Sequence, residues 1–266
     1  MFKTRLMSGI VLVAAALVLI ITGGEILLTA SCIISLIGMY ELYRVYQMEK
    51  TPAAVIGYVA AIIYDTDLYI HWLPDPMLYV IGLLICLLAV YVFAYPKYHA
   101  SQIMAVFFGV FYVAVMLSCI WQVRVMEQGA YLVWLIFLCS WGCDTCAYCV
   151  GVKFGKHKMS PVLSPKKSVE GAFGGLAGTF VLTALYAYVF REQMQITGGQ
   201  ILILAAISTV GAVISMIGDL AASAVKRNYK IKDYGTLIPG HGGILDRFDS
   251  VIFTAPVIYY LAKYLL

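Results

Sequence analysis

Charge is scarce in this sequence. Only 12% of its 266 residues are Asp, Glu, Lys or Arg, against about 25% in a soluble globular chain. Apolar residues fill 62% of it, and the mean hydropathy is +0.90. A water-soluble enzyme is thereby excluded. The net charge of +4 is too mild to mark a nucleic-acid binder. Histidine is rarer still, with four residues in the whole chain. None lies beside Cys139, Cys143, Cys146 and Cys149, whose spacing imitates a metal motif. Thiolates in hydrocarbon are costly, so these cysteines read as small packing residues of a membrane helix. Nor is there a P-loop: Gly151-x-x-x-Gly155-Lys156-His157 has the wrong spacing and no Ser or Thr after its lysine. Internal repeats and low-complexity segments are absent.

Long apolar runs are what remains. A crossing helix needs about 20 predominantly apolar residues. Runs at roughly 6–22, 26–43, 53–70, 77–95, 102–122, 130–150, 172–190, 200–222 and 248–265 approach or meet that length. The fold class expected is all-α, a polytopic membrane helical bundle of about nine transmembrane helices. It forms a single membrane domain over 1–266, with N-terminal spans to 130 and the chemistry in 131–266. The basic N-terminus followed by an apolar run resembles a signal peptide but lacks a clear cleavage site, so it reads as an uncleaved first span. Lys and Arg placement orients the bundle. With the N-terminus and the even loops on one side, that side holds 15 of the 18 basic residues, and the other holds Arg124, Arg191 and Lys263. The positive-inside rule makes the basic side, and the N-terminus, cytoplasmic. Asp65–Asp75 reads as a solvated outer loop.

The charge that exists is concentrated. Two long basic segments, about 150–171 and 226–247, are expected on the cytoplasmic side. The second lies within Ser223–Asp249, where Lys226, Arg227, Lys230, Lys232 and Arg247 crowd Asp233, Asp246 and Asp249 around His241-Gly242-Gly243. Carboxylates also stand at membrane depth, where each costs about 2.5–3.5 kcal/mol on insertion scales. Asp144 has a helix–helix hydrogen bond as its bland reading, and Asp219 an ion pair with Lys226. Asp219, Ser223 and Lys226, spaced four and three apart, share one helix face. Asp246 and Asp249 share the first turn of the last span, where the helix dipole favours anions and simple capping is the plain alternative. Carboxylates meeting at one cytoplasmic edge would suit a hard cation such as Mg²⁺. In the other segment Ser168 is a candidate N-cap, Glu170 falls in the first turn, and Lys166 and Lys167 precede them, an arrangement that can cradle phosphate. Gly171, Gly174, Gly175 and Gly178 read as helix-packing residues.

Taken together, Ser223-x-Val225-Lys226-Arg227-x4-Lys232-Asp233-x-Gly235-x2-Ile238-Pro239-x-His241-Gly242-Gly243-Ile244-x-Asp246-Arg247-Phe248-Asp249 resembles the signature of the phosphatidate cytidylyltransferases, also called CDP-diacylglycerol synthases. Asp144-Thr145-x-Ala147-Tyr148 and Ser164-Pro165-Lys166-Lys167-Ser168-x-Glu170-Gly171 are similar to further family segments, with Ser168 where threonine is usual. The resemblance is specific over roughly 140–250. It implies the reaction CTP + phosphatidic acid → CDP-diacylglycerol + pyrophosphate, dependent on Mg²⁺ with a second cation such as K⁺. It implies metal-site roles for Asp219 and Asp246, with Asp249 and Asp144 near them. Lys167, Lys226, Arg227 and Arg247 would hold phosphates, and the catalytic set is completed by His241. Lys166, Ser168, Ser223, Lys232, Gly242 and Gly243 are the remaining substrate-binding candidates. The expected partners are CTP, phosphatidic acid and membrane lipid in the inner (cell) membrane, with no nucleic acid; glycine-rich spans permit a homodimer.

Two other classes compete with that reading. A carrier for an anionic lipid or nucleotide would use Asp144 and Asp219 as its pathway, but the charges gather on one side and no paired half-helices recur. A structural membrane scaffold leaves the acid–base cluster unexplained. The Asp-Gly-x2-Ala-Arg arrangement of the alcohol phosphotransferases is absent.

Overall fold

A computed structural model describes residues 2–240 and 242–265. Among them nine helical rods follow one another. They are α1 (Phe2–Thr22), α2 (Gly24–Val45), α3 (Pro52–Ile70), α4 (Pro76–Phe93), α5 (Ala100–Arg124), α6 (Gly129–Phe154), α7 (Val169–Val189), α8 (Gly198–Asn228) and α9 (Leu245–Leu265). Seven of these, α2 to α8, are long and apolar enough to cross a membrane, and α1 carries the shorter apolar stretch Met7–Thr22. The protein is a polytopic all-α membrane protein, as its apolar runs predict. Lipid-facing surface is visible on α4, where Ile81, Leu84, Ile85, Leu88, Val92 and Phe93 are all exposed.

Local chemistry sets the helix starts. Thr51 accepts a hydrogen bond from the Ala54 N–H at 3.3 Å, with Pro52 as the first helical residue of α3. Asp75 accepts from the Met77 N–H at 2.8 Å ahead of Pro76 in α4. Both pair an oxygen cap with a proline whose missing N–H costs nothing there. α3 runs on to Ile70 before His71 turns left-handed, and this corrects one sequence expectation. Asp65 is not in a solvated outer loop; it lies inside α3 and is buried. Asp67 does serve the turn, accepting from the Leu73 N–H at 2.7 Å.

The chain packs as two compact units interleaved in sequence. One comprises Met1–Leu19, Glu25–Ser118 and Asp233–Asp246; the other comprises Ile20–Gly24, Cys119–Lys232 and Arg247–Leu266. The first unit is organised around Tyr43, which is fully buried. Its hydroxyl donates to the Val106 carbonyl at 2.8 Å. Gly57 and Gly109 make room for it, since a Cβ at either position would run into the tyrosine. Gly109→Ala should therefore lower stability by about 1–3 kcal/mol through overpacking. The thermal midpoint of the detergent-purified variant checks this.

In the second unit, α6 and α7 approach closely. A Cβ on Gly174 would meet Val150, one on Gly175 would meet Cys143, and one on Gly178 would meet Cys146. The cysteines thus fill the seam that the glycines open, as small residues do between membrane helices. Between α6 and α7 lies a short antiparallel hairpin, β1 (Lys158–Ser160) and β2 (Ser164–Ser168). α8 has 31 residues, about 46 Å at 1.5 Å each, so it outruns a hydrocarbon core of about 30 Å. Its last turns therefore carry Asp219, Ser223, Lys226 and Arg227 on one continuous helix.

Candidate active site

Three elements of the second unit bring opposite charges to one point. Lys167 on β2 forms ion pairs with Asp219 on α8 and with Asp144 on α6, the latter at 3.9 Å. Strand geometry explains why Lys167 and not its neighbour does this. Successive side chains of a strand point to opposite faces; Lys166 is exposed while Lys167 is half-buried. Burial works against the ammonium charge of Lys167, but Asp219 and Asp144, with Asp249 beyond them, outweigh it and hold the pKa above its ordinary value. The group stays cationic throughout the neutral and mildly alkaline range.

Two further features converge on this cluster. A π-helical segment, Leu138–Gly142, interrupts α6 just before Asp144. Such a bulge turns the residues after it about the helix axis and is frequent at functional sites. Trp141 in that segment donates to the Arg247 carbonyl at 3.3 Å and packs edge-on against Phe248. This ties the start of α9 to α6. Arg247 lies within electrostatic reach of Asp144, and its Nε is buried with no hydrogen-bond partner among the described residues. A buried, unmatched guanidinium nitrogen is costly unless an anion completes it. Asp249, buried on α9, lies within reach of Asp219, Lys226 and Asp144. The cluster thus combines three carboxylates with Lys167, Lys226 and Arg247.

Ser168 is the N-cap of α7 and accepts from the Gly171 N–H at 3.1 Å. Glu170 in the next turn accepts from the Lys156 N–H at 3.0 Å and pairs with His157 at 2.6 Å, closing the hairpin segment onto α7. Ser223 and Lys226 are buried on α8, whereas Arg227 and Lys232 are exposed.

The first unit holds the glycine-rich loop. Asp246 is buried, and its Oδ2 accepts from the backbone N–H groups of Tyr234 at 2.7 Å and Gly243 at 3.0 Å. Ile238 and Gly242 exchange backbone hydrogen bonds at 2.8 and 3.2 Å, and Gly242 takes a φ of +90°, which favours glycine. His241 lies outside the described residues. Sequence reading missed one residue here altogether. Glu41 on α2 is buried and accepts from the N–H groups of Ile244 at 3.1 Å and Leu245 at 2.9 Å. Its neighbour Arg44 donates to the Tyr234 carbonyl. The available signal was an acid inside an apolar run, Met39-Tyr40-Glu41-Leu42, which is expensive without a partner.

The structure therefore gathers Asp144, Lys167, Asp219, Lys226, Arg247 and Asp249 in the second unit, and Asp246, Gly242 and Gly243 in the first. Among the described residues no group of three or more His, Cys, Asp or Glu forms a ready-made metal cage.

The profile of the cytidylyltransferase family matches residues 3–265. A relative from Staphylococcus aureus (strain COL), named phosphatidate cytidylyltransferase, is 33% identical over 267 residues, covering 96% of this chain and 97% of that protein. One of the same name from Synechocystis is 30% identical over 294 residues, covering 98% and 97%. Another from Thermotoga maritima is 38% identical over 139 residues, covering 52% of each chain. With an acid–base cluster at a helix-end seam and a match along nearly its whole length, this chain belongs to the cytidylyltransferase family.

Proposed function

We propose that the chain joins CTP to phosphatidic acid, forming CDP-diacylglycerol and pyrophosphate, at the cytoplasmic surface of the cell membrane. The observation that carries this reading is the convergence of Lys167 with Asp144 and Asp219, beside the unmatched Nε of Arg247. Such a cluster among apolar helices suits a densely charged ligand. The N-terminus belongs on the cytoplasmic side, because 15 of 18 basic residues then face inward. CTP arrives from that side, and the lipid's acyl chains can remain among the spans.

In the reaction a phosphate oxygen of phosphatidic acid bonds to the α-phosphorus of CTP. The bond from that phosphorus to the bridging oxygen of the β-phosphate breaks, and pyrophosphate leaves with the electron pair. The attacking monoester is already anionic, so no strong general base is required. The difficulty is bringing two anions together and carrying the charge of the leaving group, which positioning and cations supply. Lys167 and Arg247 hold phosphate oxygens; Lys226, on the Asp219 face of α8, extends the cationic surface. Asp249 sets the local field against which these cations are arranged.

A divalent ion such as Mg²⁺ fits the donor set. It is commonly bound by one or two carboxylates together with substrate phosphates and water. Asp144 and Asp219 meet at a single cation already, the Lys167 ammonium. These two would hold the ion, with Asp249 of the same unit as a further oxygen donor; the family resemblance also gives Asp246 a metal-site role. When bound it neutralises charge on the reacting phosphates and the departing pyrophosphate.

The test is transfer itself. Detergent-purified protein is mixed with α-labelled CTP, phosphatidic acid and Mg²⁺, and label is followed into the lipid phase while pyrophosphate is measured. Equal amounts of labelled lipid and pyrophosphate are expected, and both should disappear on chelation and return with added Mg²⁺. Label that stays in the aqueous phase would reject the reaction, and transfer that survives chelation would reject the divalent ion.

A further inference from the structure

Glu41 has no place in the chemistry described above, yet it is one of the few buried acids of the first unit. Both of its oxygens are occupied by backbone donors: Oε1 accepts from Ile244 and Oε2 from Leu245. These two residues immediately precede Asp246. The glycines around it show how closely the fit is made. A Cβ on Gly243 would collide with both Glu41 oxygens, and one on Gly235 would collide with Oε1. The loop Asp233–Leu245 is thus shaped around this carboxylate. Arg44, one turn further along α2, holds the same loop through the Tyr234 carbonyl. From the other end, Asp246 accepts the Tyr234 and Gly243 N–H groups. Four backbone donors of the loop therefore end on two carboxylates.

We infer that Glu41 is a positioning residue for the transfer reaction, fixing the backbone just before Asp246 so that the aspartate and the adjoining glycine loop keep one geometry. The chemistry demands a carboxylate. Both oxygens must accept, and the amide of glutamine would set an N–H₂ against a backbone N–H. The helix start needs this help as well. Leu245 opens α9 and Ile244 immediately precedes it, where backbone donors have no intrahelical partner. A side chain from a distant helix, more than 200 positions earlier in the chain, takes that role.

This inference rests on the reading of Asp246 as part of the reacting site, so its test has two arms. Hydrogen exchange is measured on the peptide covering 233–246 in wild type and Glu41→Gln, and transfer kinetics are measured on the same samples. Glu41→Gln should lose amide protection in that peptide, with other peptides unchanged. Its kcat should fall about 10- to 100-fold, as losses of outer supporting contacts do, while KM for CTP changes little. If Glu41→Gln does not accumulate in membranes, Glu41→Asp, which keeps both acceptors on a shorter stem, takes its place in both arms with the same directions of change. Unchanged protection of 233–246 would overturn the positioning role whatever the activity. Lost protection with an unchanged kcat would overturn its importance for transfer. Absence of transfer by the wild type would instead reject the proposed reaction and leave the exchange result to stand alone.

Discussion

Asp219→Asn is expected to lower the rate of cytidylyl transfer by roughly 100- to 1,000-fold, the scale seen when one preorganised electrostatic partner is removed. Asparagine keeps the shape of the side chain and removes its charge. In the folded protein Asp219 pairs with Lys167, and it lies within reach of Asp249. The substitution therefore frees Lys167 from its nearer anion and also takes away an oxygen donor for the divalent ion. Folding should suffer little, because Asp219 is only half-buried on α8. Steady-state rates across a Mg²⁺ titration, with the thermal midpoint as control, check the prediction. The variant should need more Mg²⁺ and still fall short at saturation. A rate within a few-fold of wild type at ordinary Mg²⁺ would remove Asp219 from the site.

Lys167→Met is expected to be as damaging, for a different reason. Methionine matches the length of the stem and leaves Asp144 and Asp219 facing one point with no cation of the protein between them. Carboxylates so placed repel each other and also repel the incoming phosphates. Both kcat and KM for CTP should worsen, with kcat/KM falling about 100-fold or more. The two substitutions should not add. Groups that act as a unit lose their joint effect when either is removed, so Asp219→Asn/Lys167→Met should be little slower than the worse single variant. Lys166→Met is the contrast, because Lys166 points to the exposed face of β2; it should cost far less than Lys167→Met.

That contrast also shows how far the sequence could be read. Seven of the rods, α2 to α8, were legible because each is a long apolar run, and their existence needs nothing but the cost of exposing backbone in lipid. Asp144, Asp219 and Asp249 were legible too, since a charged residue in such a run demands a reason, and Arg247 was legible from the dense charge of the segment just before the last run. The difference between Lys166 and Lys167 was not. It depends on a short hairpin, and five residues of β2, two of them lysine and one proline, carry no alternating apolar pattern to announce a strand. The π-segment before Asp144 was equally hidden, as Leu138–Gly142 reads like any other apolar helix. Asp65 was misplaced because acids near the end of a span look like loop residues, whereas α3 continues past it to Ile70. Glu41 gave the right signal, an acid in an apolar run, but its partners are backbone groups some 200 positions away, and backbone partners leave no mark in a sequence.

The central claim is that the cations beside Asp144 and Asp219 grip the phosphates of CTP. Calorimetric titration of the detergent-purified protein with a non-hydrolysable CTP analogue, in Mg²⁺, asks this most directly. Lys167→Met and Arg247→Met should each weaken binding at least about tenfold, the loss typical of one charge-assisted contact of about 1.5–3 kcal/mol. Lys97→Met, which removes a basic residue outside the cluster, should bind as the wild type does. Equal affinity in all four proteins would contradict the account.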